Sequence, residues 1–148
     1  MTGEILSILL IEDNEDHAEL VVRSFEDNAV ANKIKHLKDG EEAFKYLFEN
    51  EDMNDPLKLP NLILLDLRLP KIDGMEILKR IKTSENLKNI PVVVLTSSHA
   101  EKDLVSAYSN YANSYLVKPL DFNKFTQLMK DLGFYWLGWN INPYNSKI

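Results

Sequence analysis

Asn61-Leu62-Ile63-Leu64-Leu65-Asp66-Leu67-Arg68-Leu69-Pro70, followed at once by Lys71-Ile72-Asp73-Gly74, is the stretch that decides the fold. It is a short apolar run that ends in one carboxylate, passes through a proline-bearing loop, and reaches Asp-Gly at the head of a helical pattern. An unbroken apolar run of this length is how a parallel strand buried on both faces reads. Open α/β sheets keep their chemistry in the loops at strand carboxyl ends. Asp66 is therefore expected at the mouth of a sheet. Three other strand ends supply Glu12-Asp13, Thr96 and Lys118-Pro119.

Working outward, Ile5-Leu6-Ser7-Ile8-Leu9-Leu10-Ile11 reads as a second central strand and Pro91-Val92-Val93-Val94-Leu95-Thr96 as a third. Lys33-Ile34-Lys35-His36-Leu37 alternates as a strand near a sheet edge would, and Ser114-Tyr115-Leu116-Val117 is the last strand. Between them lie helical stripes. Glu15 to Asp27 carries Leu20, Val21, Ser24 and Phe25; the second helix carries Ala43, Phe44, Leu47 and Phe48; the third, ending near Thr83-Ser84, carries Ile77, Leu78 and Ile81. A fourth carries Leu104, Val105, Ala107 and Tyr108, and a fifth, Phe122 to Leu137, turns Phe125, Leu128, Met129 and Leu132 inward. Residues 50–60, polar and with two prolines, read as a long surface loop. Five strand–helix units imply a doubly wound parallel sheet with helices on both faces. The 148 residues are expected to form one domain, with a core over about residues 5–132 and an aromatic extension over 133–148.

Composition narrows the function. A net charge of -6 and no lysine–arginine block disfavour nucleic acid and anionic membrane as partners. The chain has no cysteine, which excludes cysteine-ligated zinc and a disulfide framework. With no basic leader and no apolar run of membrane-spanning length, the expected address is the cytoplasm.

If the strands ending at Glu12-Asp13 and Asp66 are neighbours, three carboxylates crowd one crevice. Like charges that close raise pKa values or demand a cation, and oxygen ligands suit magnesium. Taken alone, three acids also fit a solvated rim. Lys118, held extended by the proline after it, can neutralise a carboxylate or a phosphoryl oxygen; a single strand-end lysine is more often only solvated. The Thr96 hydroxyl can donate to a phosphoryl oxygen, although threonine is also a plain strand former or helix cap. Together, in order at successive strand ends, they are hard to attribute to chance. His17, His36 and His99 show no metal-ligand spacing and read as surface histidines.

Glu12-Asp13, Asp66, Pro70, Asp73-Gly74, Thr96, Tyr115 and Lys118-Pro119 resemble the receiver domain of two-component response regulators. The resemblance runs from about Ile5 to Leu132 and implies a flavodoxin-like fold with strand order 2-1-3-4-5. It implies that Asp66 is the phospho-acceptor, served by Lys118 and Thr96, and that Mg2+ is the cofactor. The metal would be held by Asp13, Asp66 and the Arg68 backbone carbonyl, with Glu12 acting through water. Thr96 and Tyr115 would be the switch pair, signalling through the face of helix four, strand five and helix five. Tyr115 also fits simple core or edge packing. Arg68 and Ser98 would flank the route of attacking water.

The resemblance extends to the single-domain regulators that partner bacterial phytochromes. They share the longer 50–60 loop, the run into Asp66, the Ile-Pro-Val-Val-Val-Leu-Thr strand and an aromatic C-terminal helix. This implies a stand-alone regulator serving a sensor histidine kinase of the phytochrome type, and a homodimer. Output would pass to a downstream protein or a phosphotransfer protein. Phe134, Trp136 and Trp139 are the expected interface, or else Phe134 and Trp136 close the domain's own core. Such a protein is not a conventional enzyme, although it would catalyse its own phosphorylation and dephosphorylation at Asp66. The alternative is a constitutive interaction module of receiver fold with a vestigial site. A dehalogenase-type phosphatase would need a second acid two residues after Asp66, where Arg68 stands. A flavin-binding flavodoxin would need a hydroxyl-rich loop where Glu12 and Asp13 repel phosphate.

Overall fold

The computed structural model describes residues 7–27, 33–133 and 135. Phe134, Trp136 and Trp139, and with them the interface expectation, lie outside the described residues. Five strands, β1 (Ser7–Ile11), β2 (Lys33–Leu37), β3 (Leu62–Leu65), β4 (Val92–Thr96) and β5 (Ser114–Val117), form one parallel sheet in the order β2-β1-β3-β4-β5. Five helices alternate with them: α1 (Glu15–Asp27), α2 (Gly40–Phe48), α3 (Gly74–Thr83), α4 (Glu101–Ser109) and α5 (Phe122–Gly133). The expected doubly wound sheet and its strand order are what the structure has. None of the described helices is long and apolar enough to cross a membrane.

The strand alternation divides the interior into two cores. Leu9, Ile11, Ile63, Leu65, Val92 and Val94 face one way, against Ala43 and Leu47 of α2, Ile77, Leu78 and Ile81 of α3, and Ala107 of α4. Ile8, Leu10, Leu62, Leu64, Val93 and Leu95 face the other, against Ala18, Val21 and Phe25 of α1 and Phe125, Met129 and Leu132 of α5. Both faces of the central strands are thereby dry, which is why they read as continuous apolar runs rather than alternating ones.

Two regions differ from expectation. The 50–60 stretch is not a loose surface loop. Glu51–Asn54 and Pro56–Lys58 wind into short 3-10 turns, capped by the side chains of Asn50 (from the Asp52 N–H, 3.1 Å) and Asp55 (from the Leu57 N–H, 3.0 Å). These turns sink Met53 and Leu59 into the core. On α4, only Ala107 and Asp103 are buried, while Leu104, Val105 and Tyr108 stand 39%, 57% and 50% exposed. That helix packs on its smallest apolar residue and leaves its larger ones in solvent.

At the lower edge of the sheet, Lys82 at the end of α3 donates to the carbonyls of Lys88 (3.1 Å) and Ile90 (2.9 Å) and to Asn113 Oδ1 (3.0 Å). It thereby ties the turn before β4 to the entry of β5. Burial pushes its ammonium down to about 8.

At the upper edge, Gly74 starts α3 against the turn that follows β3, its N–H bonded to the Leu67 carbonyl at 3.0 Å. A Cβ there would meet the Asp66 carbonyl oxygen at 2.2 Å and Leu67 Cα at 2.6 Å, both backbone atoms that cannot swing aside. Gly74→Ala is expected to lower stability by about 1–3 kcal/mol. Its sign would be a lower urea midpoint at an unchanged slope; an unchanged midpoint would mean that α3 shifts without cost.

Candidate functional site

The ladder hydrogen bonds run one residue past the strands and fix where the functional side chains leave the sheet. The Glu12 N–H donates to the Leu37 carbonyl (3.0 Å), Asp66 to Ile11 (3.0 Å) and Lys118 to Thr96 (2.8 Å). Because β1 and β3 are neighbours, Glu12, Asp13 and Asp66 converge, with ligand oxygens all within 4.8 Å of one another. Glu12 and Asp66 are buried and Asp13 lies exposed at the rim.

Lys118 reaches across from β5 with its side chain only 3% exposed. Its ammonium lies 2.5 Å from Glu12 Oε1, 2.9 Å from Asp66 Oδ2 and 3.0 Å from His17 Nδ1. Two buried carboxylates thus share one lysine. The imbalance appears in Glu12, whose carboxyl is pushed up to about 7 by burial and then by the Asp66 charge, against the pull of Lys118. The remaining acceptors are held by backbone: Asn14 N–H donates to Glu12 Oε2 (3.2 Å) and Arg68 N–H to Asp66 Oδ1 (3.1 Å). An all-oxygen cluster with surplus negative charge and one member open to solvent fits a hard divalent cation that keeps several waters.

Thr96 is fully buried at the end of β4, and its Oγ1 accepts from the Ser98 N–H at 3.4 Å. Tyr115 is half-buried and donates its hydroxyl to the Ser98 carbonyl at 3.1 Å, so it sits beneath the β4–α4 loop rather than among the acids. Ser98 Oγ donates to Asp103 Oδ2 at 2.6 Å, and that same oxygen accepts from Arg68 Nη2. The two residues expected to flank a water route are thus both tied to one buried acid on α4.

Asp103 and His17 are the residues sequence reasoning missed. His17 is not a surface histidine: it is half-buried, its ring 5.7 Å from that of Phe125 and its Nδ1 against Lys118. The available signal was its place one turn before Val21 on the buried stripe of α1. His36 is half-buried too, its Nε2 2.7 Å from the Glu12 carbonyl, because the end of β2 abuts the turn after β1. His99 is exposed, as expected.

Comparison with known proteins agrees with this geometry. The family profile of the response regulator receiver domain matches residues 8–130. The probable methanogenesis regulatory protein FilR2 of Methanothrix harundinacea is 50% identical over 136 residues, covering 92% of this chain and 86% of its own. Response regulator Rcp1 of Synechocystis is 38% identical over 130 residues, 88% of each chain. The crystal structure of its Mn(2+)-bound form superposes with a TM-score of 0.85, covering 93% of this chain and 99% of that one. The phosphorylated cyanobacterial phytochrome response regulator RcpA is 35% identical with a TM-score of 0.87, covering 94% and 99%.

Proposed function

The chain belongs to the response regulator receiver family and is related to the phytochrome response regulators, and from that premise we propose that it accepts a phosphoryl group from a sensor histidine kinase on Asp66. The observation that carries the reading is the convergence of Glu12, Asp13 and Asp66 within 4.8 Å beside the buried ammonium of Lys118.

A carboxylate oxygen of Asp66 attacks the phosphorus of a phosphohistidine in line. The new O–P bond forms as the P–N bond breaks, and the electron pair returns to the imidazole, which takes up a proton. Lys118, already 2.9 Å from Asp66, offsets charge on the equatorial oxygens, and the Thr96 hydroxyl donates to one of them. Asp13, Asp66 and the Arg68 carbonyl, with Glu12 through water, would hold Mg2+, which would supply further neutralisation of the phosphoryl oxygens. Water attack on phosphorus later restores the Asp66 carboxylate, so the mark is transient.

Thr96 and Tyr115 carry the change outward, since both contact Ser98 in the loop that leads into α4. The readout surface is the α4–β5–α5 face. Support comes from the exposed Leu104, Val105, Tyr108, Tyr111, Leu120 and Phe122, an apolar set from α4 to the start of α5. Likeness to the phytochrome response regulator RcpA favours a kinase of the phytochrome type. The reading includes a homodimer, working in the cytoplasm on a downstream protein or phosphotransfer protein. The intact acids and lysine argue against a vestigial site.

Incubation with phosphoramidate, with and without magnesium, tests the chemistry by intact mass. The expected result is a gain of one phosphoryl group that requires magnesium and maps to Asp66. No gain with magnesium present, or a gain at another residue, would reject the reading.

A further inference from the structure

The ammonium of a lysine has three protons and accepts nothing. In Lys118 two of them face Glu12 and Asp66, and the third faces His17 Nδ1 at 3.0 Å. Since Lys118 can only donate, Nδ1 must be the bare nitrogen and His17 a neutral imidazole carrying its proton on Nε2. The ring lies against Phe125 of α5, and the His17 backbone N–H is bonded to Asn14 Oδ1 at 3.0 Å, which fixes the first turn of α1 that carries it.

We propose that His17 is a positioning residue for phosphoryl transfer: by taking the third proton of Lys118 it fixes the direction in which the ammonium presents its other two to the reacting group. The proposal rests on the reading of Asp66 as phospho-acceptor and of Lys118 as its cation. During transfer the bonds of Lys118 to the acids pass in part to phosphoryl oxygens, while the bond to His17 stays and anchors the side chain. Without it the third proton turns to water and the ammonium gains freedom to rotate within the crevice, where small misplacements are costly in rate.

The arrangement also makes transfer sensitive to acid. An imidazolium has no acceptor at Nδ1 and sets a second cation against Lys118. The groups facing His17 work in both directions. Burial and the charge of Lys118 lower its pKa, whereas Asp66 at the end of β3, Asp16 on α1 and Asp13 in the β1–α1 turn raise it. The contact from α5 is the uncharged ring of Phe125.

The test compares wild type with His17→Leu, which keeps packing against Phe125 but offers no acceptor, and with His17→Asn, which puts an oxygen near the place of Nδ1 without a titratable group. Rates of phosphoryl uptake from phosphoramidate at saturating magnesium are measured between about pH 5 and about pH 8. Each variant is expressed as a ratio to wild type at the same pH, which cancels titration of the donor and of the shared acids. His17→Leu is expected to be about tenfold slower at the alkaline end, with the ratio rising towards one as acid protonates the wild-type imidazole. His17→Asn is expected to recover most of the lost rate and to lack the acid limb.

Ratios that stay flat across the range overturn the positioning role alone, provided wild type is phosphorylated; an inert wild type overturns the receiver reading first. Independently of phosphorylation, 15N NMR should find the His17 proton on Nε2 and its pKa moving upward in Lys118→Met. A proton on Nδ1, or a pKa indifferent to Lys118, also overturns the proposal.

Discussion

Asp66→Asn is expected to take up no phosphoryl group from any donor and yet to remain folded. The amide is nearly the same shape as the carboxylate but is no nucleophile, so the chemistry ends while the packing is kept. The wild-type crevice asks one lysine to serve two buried acids, whereas the variant leaves Lys118 and Glu12 as a matched pair. The Asp66 charge is one of the two causes that raise Glu12, so its carboxyl should fall from about 7 towards its ordinary value of 4.5.

The sign of the stability change follows. An acid whose pKa is raised by folding binds its proton more tightly in the native state, so its contribution to stability is lost as pH rises between 4.5 and about 7. Without magnesium, wild type should therefore lose stability relative to Asp66→Asn over that window. Urea midpoints for both proteins at about pH 5 and about pH 7.5 would check this. A variant that becomes the less stable of the two at the higher pH would mean that Asp66 and Lys118 stabilise each other more than Glu12 suffers.

The second large effect belongs to Lys118→Met. Methionine fills the volume but strands Glu12 and Asp66, both buried, without their cation. Phosphoryl uptake should fall about 100- to 1000-fold, the usual cost of removing one preorganised group that faces developing charge. At about pH 7.5 and without magnesium the protein should also lose about 3–5 kcal/mol, the cost of leaving a buried charge unpaired. Most of that loss should return at about pH 5, because a protonated Glu12 can donate to the Asp66 carboxylate. Chemical denaturation at the two pH values would separate this from simple loss of packing, which would leave the deficit equal at both.

Which features were legible in the sequence depends on how far apart in the chain their causes lie. Leu62–Leu65 and Val92–Leu95 announce themselves because each residue is buried on one face or the other. Glu12, Asp66, Thr96 and Lys118 were legible because each closes a strand. Their order around the crevice came from the family resemblance, not from any local pattern.

The residues missed have partners far along the chain: His17 meets Lys118 across 101 positions and Asp103 meets Arg68 across 35. The sequence neighbourhood of Asp103 does not distinguish it from a solvated helix residue, and that of His17 offers only its place on the buried stripe of α1. The turns at 51–58 were hidden because their polar residues cap backbone groups, leaving only Met53 and Leu59 to signal burial. On α4 the apolar count misled, since Ala107 does the packing and Leu104, Val105 and Tyr108 remain outside.

The two-sided burial of the central strands has a consequence for how the sheet avoids misassembly. A strand with one wet face is held in register by the penalty for turning its apolar residues outward. β1, β3 and β4 have no wet face, and a slip by one residue would exchange one aliphatic side chain for another at little cost along most of their length. Discrimination therefore falls to the polar ends. Asn61 exchanges bonds with Ser7, side chain from the Ser7 N–H at 2.7 Å and main chain to its carbonyl at 2.9 Å. Asn113 repeats the clasp on Val92, with both bonds at 2.9 Å. At the opposite edge a slip would drag Asp66 or Lys118 into the hydrocarbon interior, or pull them apart, leaving a charge without a partner. The carboxylates and lysine of the crevice thus penalise a misaligned strand at one edge of the sheet, as the two asparagine clasps do at the other.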